Sequence, residues 1–159
     1  MKIDYQKTID ALKENGLILP DDKCAVCLFI VESKNYGLYT ETITSKVDYI
    51  IAANADEIKL FDIDKKTGEY LESMLTFRKD DIQYTKKRRE RNFIWASKGI
   101  FGGRNIAIRF LSENFAHDYL IPKKYRGYEQ LEARAELFEF IKSVYNPHYD
   151  ALKKAYKGK

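Results

Sequence analysis

From residue 24 to about residue 122 the chain reads as strands, several of them alternating apolar and polar residues with a period of two, and near residue 127 the period changes to that of a helix. This switch constrains the fold more than any single residue. Strands come first and one strongly amphipathic helix comes last, an order that packs as a helix on an antiparallel sheet. The strand segments are short and separated by turn residues. Residues 24–32 are a continuous apolar run, and Val47, Tyr49, Ile51 and Ala53 share one side of the next strand. Ile58, Leu60, Phe61 and Ile63 read as a strand buried on both faces. Asp64 to Glu69 then punctuate, with Gly68 available for the positive φ of a hairpin. Leu71, Leu75 and Phe77 fall on one face of the return strand. Residues 35–45 are polar and Thr-rich, a loop or a weak edge strand. Ile82 and Tyr84 open a further strand that runs into a basic cluster, Phe93 and Trp95 alternate in the next, and Ile106, Ile108 and Phe110 in the one after. Asp118 to Ile121 make a last short strand before Pro122.

Two helices bracket these strands. Over residues 4–15, Tyr5, Ile9 and Leu12 share a face, Asp4 suits the N-cap, and Gly16 followed by Leu17 suits a Schellman close. Over residues 127–145, Leu131, Ala135, Phe138, Ile141 and Tyr145 form an apolar stripe, widened by Leu137, Phe140 and Val144, opposite Glu129, Glu132, Glu136, Glu139 and Ser143. Asn146-Pro147 is expected to stop this helix, leaving 148–159 as a basic tail that frays. The predicted fold is α+β: a bent antiparallel sheet or partial barrel of about seven strands, capped by the C-terminal helix, with a short N-terminal helix. Its 159 residues fit a single domain.

Composition excludes several classes. Aromatic residues at 14% argue against disorder. The longest apolar run, Cys24 to Val31, is eight residues, whereas a spanning helix needs roughly 20. No transmembrane segment or secretory leader is expected, so the expected location is cytoplasmic, with peripheral attachment to a membrane left open. Cys24 and Cys27 form a C-x-x-C, but on a strand they face opposite ways and lie about 10 Å apart. Two buried, reduced thiols are expected, with no metal and no cofactor.

Charge is uneven. Residues 1–77 hold nine Lys and fourteen acidic residues, a net of −5, and residues 78–159 hold nineteen basic and ten acidic residues, a net of +9. The densest basic stretch is Lys86, Lys87, Arg88, Arg89 and Arg91. With Lys98, Arg104, Lys123, Lys124 and Arg126 it makes a candidate surface for an anionic partner, weighed against an ordinary solvated surface. Strand alternation would send Lys86 and Arg88 to one side and Lys87 and Arg89 to the other, so the cluster is expected at a barrel rim. Catalytic signals are absent: His117 and His148 are isolated, and Asp21-Asp22, Asp56-Glu57 and Asp80-Asp81 are adjacent pairs that diverge on extended backbone. Gly99, Gly102 and Gly103 precede a strand, not a helix, which suits a turn better than a phosphate loop; Ile100 and Phe101 sit at its tip.

Tyr49-Ile50-Ile51-Ala52, Ile58-Lys59-Leu60-Phe61-Asp62, the Gly-closed hairpin, Asp80-Asp81-Ile82, the basic strand, Lys98 to Arg104 and Ile106-Ala107-Ile108-Arg109-Phe110 follow one another before the amphipathic helix. In this pattern, over about residues 20–145, the chain resembles the bacterial PH-like (pleckstrin-homology-like) domains. The helix at 4–15 and the polar segment at 35–45 depart from a minimal member. The resemblance implies a seven-stranded bent barrel capped by a helix, and binding or scaffolding in place of catalysis. The headgroup-binding loops of eukaryotic relatives do not carry over, because the basic cluster lies later in this chain. Two readings follow: a non-enzymatic module for a protein or anionic lipid surface, or single-stranded nucleic-acid binding through the basic strand with Tyr84, Phe93 and Trp95. Exposure of Phe93 and Trp95 would favour nucleic acid; burial would favour the first.

Overall fold

The computed structural model describes residues 2–35, 40–44, 46–87, 91–98, 106–112 and 115–158. Helix α1 spans Tyr5–Glu14. Strands follow as β1 (Lys23–Asn35), β2 (Thr40–Thr44), β3 (Asp48–Ala53), β4 (Glu57–Ile63), β5 (Tyr70–Arg78), β6 (Phe93–Lys98), β7 (Ile106–Ser112) and β8 (Phe115–Ile121). A two-strand ribbon of β9 (Lys124–Tyr125) and β10 (Tyr128–Glu129) precedes helix α2 (Leu131–Lys157). The sheet runs β5-β4-β3-β1-β8-β7-β6, with β2 hairpinned onto β1. Every pairing is antiparallel. This is the expected α+β layout, and the sheet does not close into a barrel.

The bend arises because β1 changes partners along its length. Lys23 to Cys27 pair with β3, Leu28 and Phe29 pair with β8, and Ile30 to Asn35 pair with β2. Where β1 and β8 diverge, backbone groups lose their ladder partners, and buried polar groups must be matched. Side chains at the start of α2 supply the match. The amide of Gln130 accepts from Val26 N at 2.7 Å and donates to Val26 O at 2.9 Å and Pro122 O at 2.7 Å. One turn later Arg134 Nε donates to Ile121 O at 2.7 Å. At the far end of the sheet Asn146 repeats the device on β6, accepting from Ala96 N and donating to Ala96 O, both at 3.0 Å. Helix α2 therefore caps the sheet with amide side chains standing in for a missing strand.

Two apolar layers result. Ile51, Ile58, Leu60, Ile108, Phe110, Phe138, Ile141 and Tyr145 belong to the core between the sheet and α2. Ile50, Phe61 and Ile63, on the other face of β3 and β4, pack with Tyr5, Ile9 and Leu12 of α1. So β3 and β4 are buried on both faces because a helix covers each. Helix α1 matches its sequence reading closely. Asp4 accepts from Lys7 N, Gly16 has φ +73°, and Leu17 N donates to Leu12 O at 3.0 Å. Cys24 and Cys27 are free thiols on opposite faces of β1. Cys27 is fully buried, whereas Cys24 is only partly so.

Four expectations are corrected. Helix α2 starts at Leu131, because Arg126 and Gly127, with φ of 47° and 81°, close the β9–β10 hairpin first. It also runs through Pro147 to Lys157 instead of stopping at 146 or fraying. Pro147 and Ser143, whose carbonyl loses its helical donor, are both exposed to water, and Asn146 and Tyr149 hold the helix on either side. The buried stripe is rotated from the expected one: Arg134, Leu137, Phe138, Ile141, Tyr145 and Tyr149 are inside, while Leu131 is 61% exposed. Finally, residues 79–87 carry no strand. A single 3-10 turn covers Lys79–Asp81, one isolated bridge joins Gln83 to Asn92, and Lys86 and Lys87 lie on a bend. The strand alternation expected for the basic cluster therefore does not apply to its described members. The segment 35–45 contributes β2, and the turn at 99–103 lies outside the described residues.

Candidate functional site

Three tyrosines, a phenylalanine and a tryptophan meet where the chain enters the basic segment. Tyr149, on the buried face of α2, packs against Phe93 with ring centres 4.4 Å apart and against Trp95 at 6.2 Å. Phe93 and Trp95 are half-buried, each with a face taken by the Tyr149 ring. Tyr84 then lies on α2 from outside, 5.8 Å from Tyr149 and 5.4 Å from Tyr156. Arg91 closes the segment that begins at Tyr84. Its Nε donates to Thr85 O at 2.9 Å, its NH2 to the Tyr84 hydroxyl at 3.1 Å, and its guanidinium sits 4.3 Å above the Tyr84 ring. Arg91 is half-buried and acts as a structural clasp, so it is less available to a partner than the sequence implied.

The consequence is that Tyr84, which precedes the basic cluster, is fixed on the last turns of α2. Those turns carry Lys153, Lys154 and Lys157, which the expected frayed tail left out of the candidate surface. Lys86, Lys87, Lys154 and Lys157 are exposed, and Tyr156 is 40% exposed. Asp150 is the exposed acid on the same stretch of helix. Arg88, Arg89 and Arg104 lie outside the described residues.

The remaining candidates are elsewhere. Lys98 ends β6, with its ammonium 5.4 Å from the Phe138 ring. Lys123, Lys124 and Arg126 flank the β9–β10 hairpin next to Gln130. At 1.5 Å of rise per residue, Gln130 and Tyr149 are about 28 Å apart along α2. Lys123, at Gln130, and Tyr84, at Tyr149, therefore lie at opposite ends of α2. Lys124 pairs with Glu129 at 3.7 Å, and Arg126 donates to Lys65 O while its guanidinium lies 5.4 Å from the Tyr125 ring. Both have neighbours that dilute a basic field.

Other polar groups serve the fold. His117 stacks on Phe29 at 5.2 Å, and burial holds its pKa below the ordinary value. Asp118 is taken by Arg109, at 2.8 and 3.0 Å. Asp22 accepts from Leu19 N and Asn54 Nδ2, which ties a turn. Asp48, which the strand pattern passed over, is fully buried and accepts from the hydroxyls of Tyr5 and Tyr125, each at 3.1 Å, with Lys65 Nζ at 3.7 Å. A cleft of about 500 Å³ between α1 and the start of α2 is lined by Lys13, Asp22, Cys24, Tyr128 and Glu136. Burial pushes the Cys24 thiol up to about 11, which keeps it protonated and unreactive near neutrality. Among the described residues no cluster of His, Cys, Asp or Glu could hold a metal ion, and no helix is long and apolar enough to cross a membrane.

Burial also raises Tyr5, Tyr119 and Tyr145 far above the ordinary tyrosine value, with the Asp48 carboxylate adding to the shift at Tyr5. A group whose pKa is raised by folding contributes stability that is complete below its unfolded value and falls away above it. Unfolding free energy is therefore expected to hold through pH 9 and to drop steeply above about 10, the unfolded tyrosine value. Thermal melts from pH 7 to 11 check this, and a step in tyrosinate absorbance should accompany unfolding. Ionisation of all twelve tyrosines in a chain still folded would refute the burial of these rings.

No family model matches the chain, and no curated protein matches it. Among solved structures, it is similar to the hSac2 domain from human phosphoinositide phosphatase Sac2. That likeness has a TM-score of 0.40 and 11% identity, over 94% of this chain and 85% of that one. A likeness at this level assigns neither a family nor an activity, so the functional reading rests on the surface itself.

Proposed function

We propose that the chain is a non-enzymatic, PH-like binding module that docks an anionic protein or membrane surface at the basic end of α2. The observation that carries this reading is the packing of Tyr84, two residues before Lys86, on Tyr149 and Tyr156, in the part of α2 that holds Lys153, Lys154 and Lys157. The order of the strands and the helix seated in the opening of the sheet support the PH-like part. The engagement of Phe93 and Trp95 under Tyr149 favours a surface partner over single-stranded nucleic acid, which needs open rings for base stacking.

Each Lys near an anionic bilayer contributes about 1 kcal/mol of attraction. Lys86→Glu, Lys154→Glu and Lys157→Glu together should therefore lower binding to anionic vesicles by about tenfold or more while leaving the melt unchanged. Binding should also weaken as salt rises, since exposed charges are screened over about 8–10 Å. Co-sedimentation with anionic and neutral vesicles reads the membrane arm, an acidic polypeptide the protein arm, and a single-strand gel shift the competing reading. A triple variant that binds all three probes as the parent does would remove this surface from the function.

A further inference from the structure

The two ends of the sheet are finished differently. At β6 the outer edge is closed by Asn146 of α2. At the other end β5 pairs with β4 alone, and among the described residues nothing bonds its outer edge. Strand β5 is also the most exposed strand of the described set, with every residue from Leu71 to Thr76 open to solvent. Three of these are large and apolar: Leu71 at 44%, Met74 at 37% and Leu75 at 54%. Leu75 is aligned with Leu60 of the core, and Met74 with Phe61 of the opposite layer, so apolar surface is offered on both faces of the edge. Proteins usually blunt such an edge with charge, cover or an irregularity. Here Glu72, at φ 56°, supplies an irregularity near the start of the strand, and the residues after it are regular.

We infer that β5 is a self-association edge, and that a second copy of this chain pairs with it antiparallel about a two-fold axis at Leu75. The charge pattern of the strand selects this partner and this register. Pairing about Leu75 sets Glu72 of each copy opposite Arg78 of the other, Met74 opposite Thr76, and the two Leu75 side chains against each other. Pairing about Glu72 would oppose two carboxylates, and pairing about Ser73 or Met74 leaves both Glu72 and Arg78 facing uncharged residues. Glu72 and Arg78 are both exposed, and among the described residues neither has an ion-pair partner within its own chain. Cross-strand pairs of opposite charge stabilise a ladder and like charges oppose it. The edge is short, so the dimer is expected to be concentration-dependent and not obligate.

The experiment is sedimentation velocity over a concentration series, on the intact chain and on charge variants of its exposed edge. The parent should move from monomer to dimer with rising concentration. Glu72→Arg and Arg78→Glu should each shift the equilibrium toward monomer, and the double variant should restore the dimer, because the swapped pairs match again. Leu75→Cys should form a covalent dimer on mild oxidation, whereas Ser73→Cys, which faces Phe77 across the axis, should not. A parent chain that stays monomeric at the highest concentration would overturn the inference and leave the edge to a strand from another protein. A dimer that ignores both single reversals would place self-association on a different surface and overturn it as well.

Discussion

Phe138→Ala is expected to destabilise the fold by about 3–5 kcal/mol, the range for removing a large buried ring whose surroundings relax only in part. Phe138 is 4% exposed and lies in the core between α2 and the sheet. Its ring edges toward the rim, where the ammonium groups of Lys98 and Lys142 stand 5.4 and 5.7 Å from its centre. Truncation would open a cavity and remove both cation–ring contacts, each worth about 0.5–1 kcal/mol at an exposed site. Urea melts of the two proteins measure the difference. Leu131→Ala is the control, because Leu131 belongs to the expected stripe but is 61% exposed. Its loss should stay below about 0.5 kcal/mol, as for other surface substitutions. Equal losses for the two variants would restore the stripe read from periodicity and refute the rotated one.

That rotation shows where the sequence stopped being legible. Apolar periodicity locates α2 and most of its buried residues, but it gives Arg134 no place and marks Asn146 only as part of a stop. Arg134 and Asn146 are inward because each satisfies strand backbone that no strand reaches. Nothing in a one-dimensional pattern separates a polar residue that hydrogen-bonds an orphaned carbonyl from one that faces water. Pro147 misled for a related reason: its usual cost is offset by packing on both sides, which is a tertiary effect. The succession of helix, strands and helix along the chain, the α1 caps and the hairpin at Gly68 are legible because each rests on local chemistry: alternation, an Asp at the N-cap, a glycine at positive φ. The hairpin at Arg126-Gly127 carried a similar signal, but the helical period beginning beside it masked the turn. Lys86 and Lys87 stand out in the sequence as part of a run, whereas the packing of Tyr84 on Tyr156, in the turns that hold Lys153, Lys154 and Lys157, has no sequence signal.

The buried carboxylate carries the other large expected effect. Asp48 begins β3 between the sheet, α1 and the β9–β10 hairpin, and it is the one acceptor shared by the Tyr5 and Tyr125 hydroxyls. Lys65 approaches it at 3.7 Å, from the turn between β4 and β5. Asp48→Ala strips the acceptor from both phenols and the counter-charge from the ammonium, and breaking a buried pair by removing one partner costs about 3–5 kcal/mol. Asp48→Asn keeps the shape and one carbonyl oxygen, so it should cost less, about 1–3 kcal/mol, the range for leaving a buried polar group poorly matched. Tyr5→Phe and Tyr125→Phe each remove one donor, and either change made on top of Asp48→Ala should add little, because the bond it deletes is already gone. Amide exchange should localise the damage. Protection is expected to fall first in α1 and in the Lys124–Glu129 ribbon, whose tyrosines converge on this one carboxylate, before it falls in the β6–β8 strands beneath α2. If Asp48→Ala melts like the parent, or if α1 keeps its protection, the carboxylate is not what ties the N-terminal helix to the sheet.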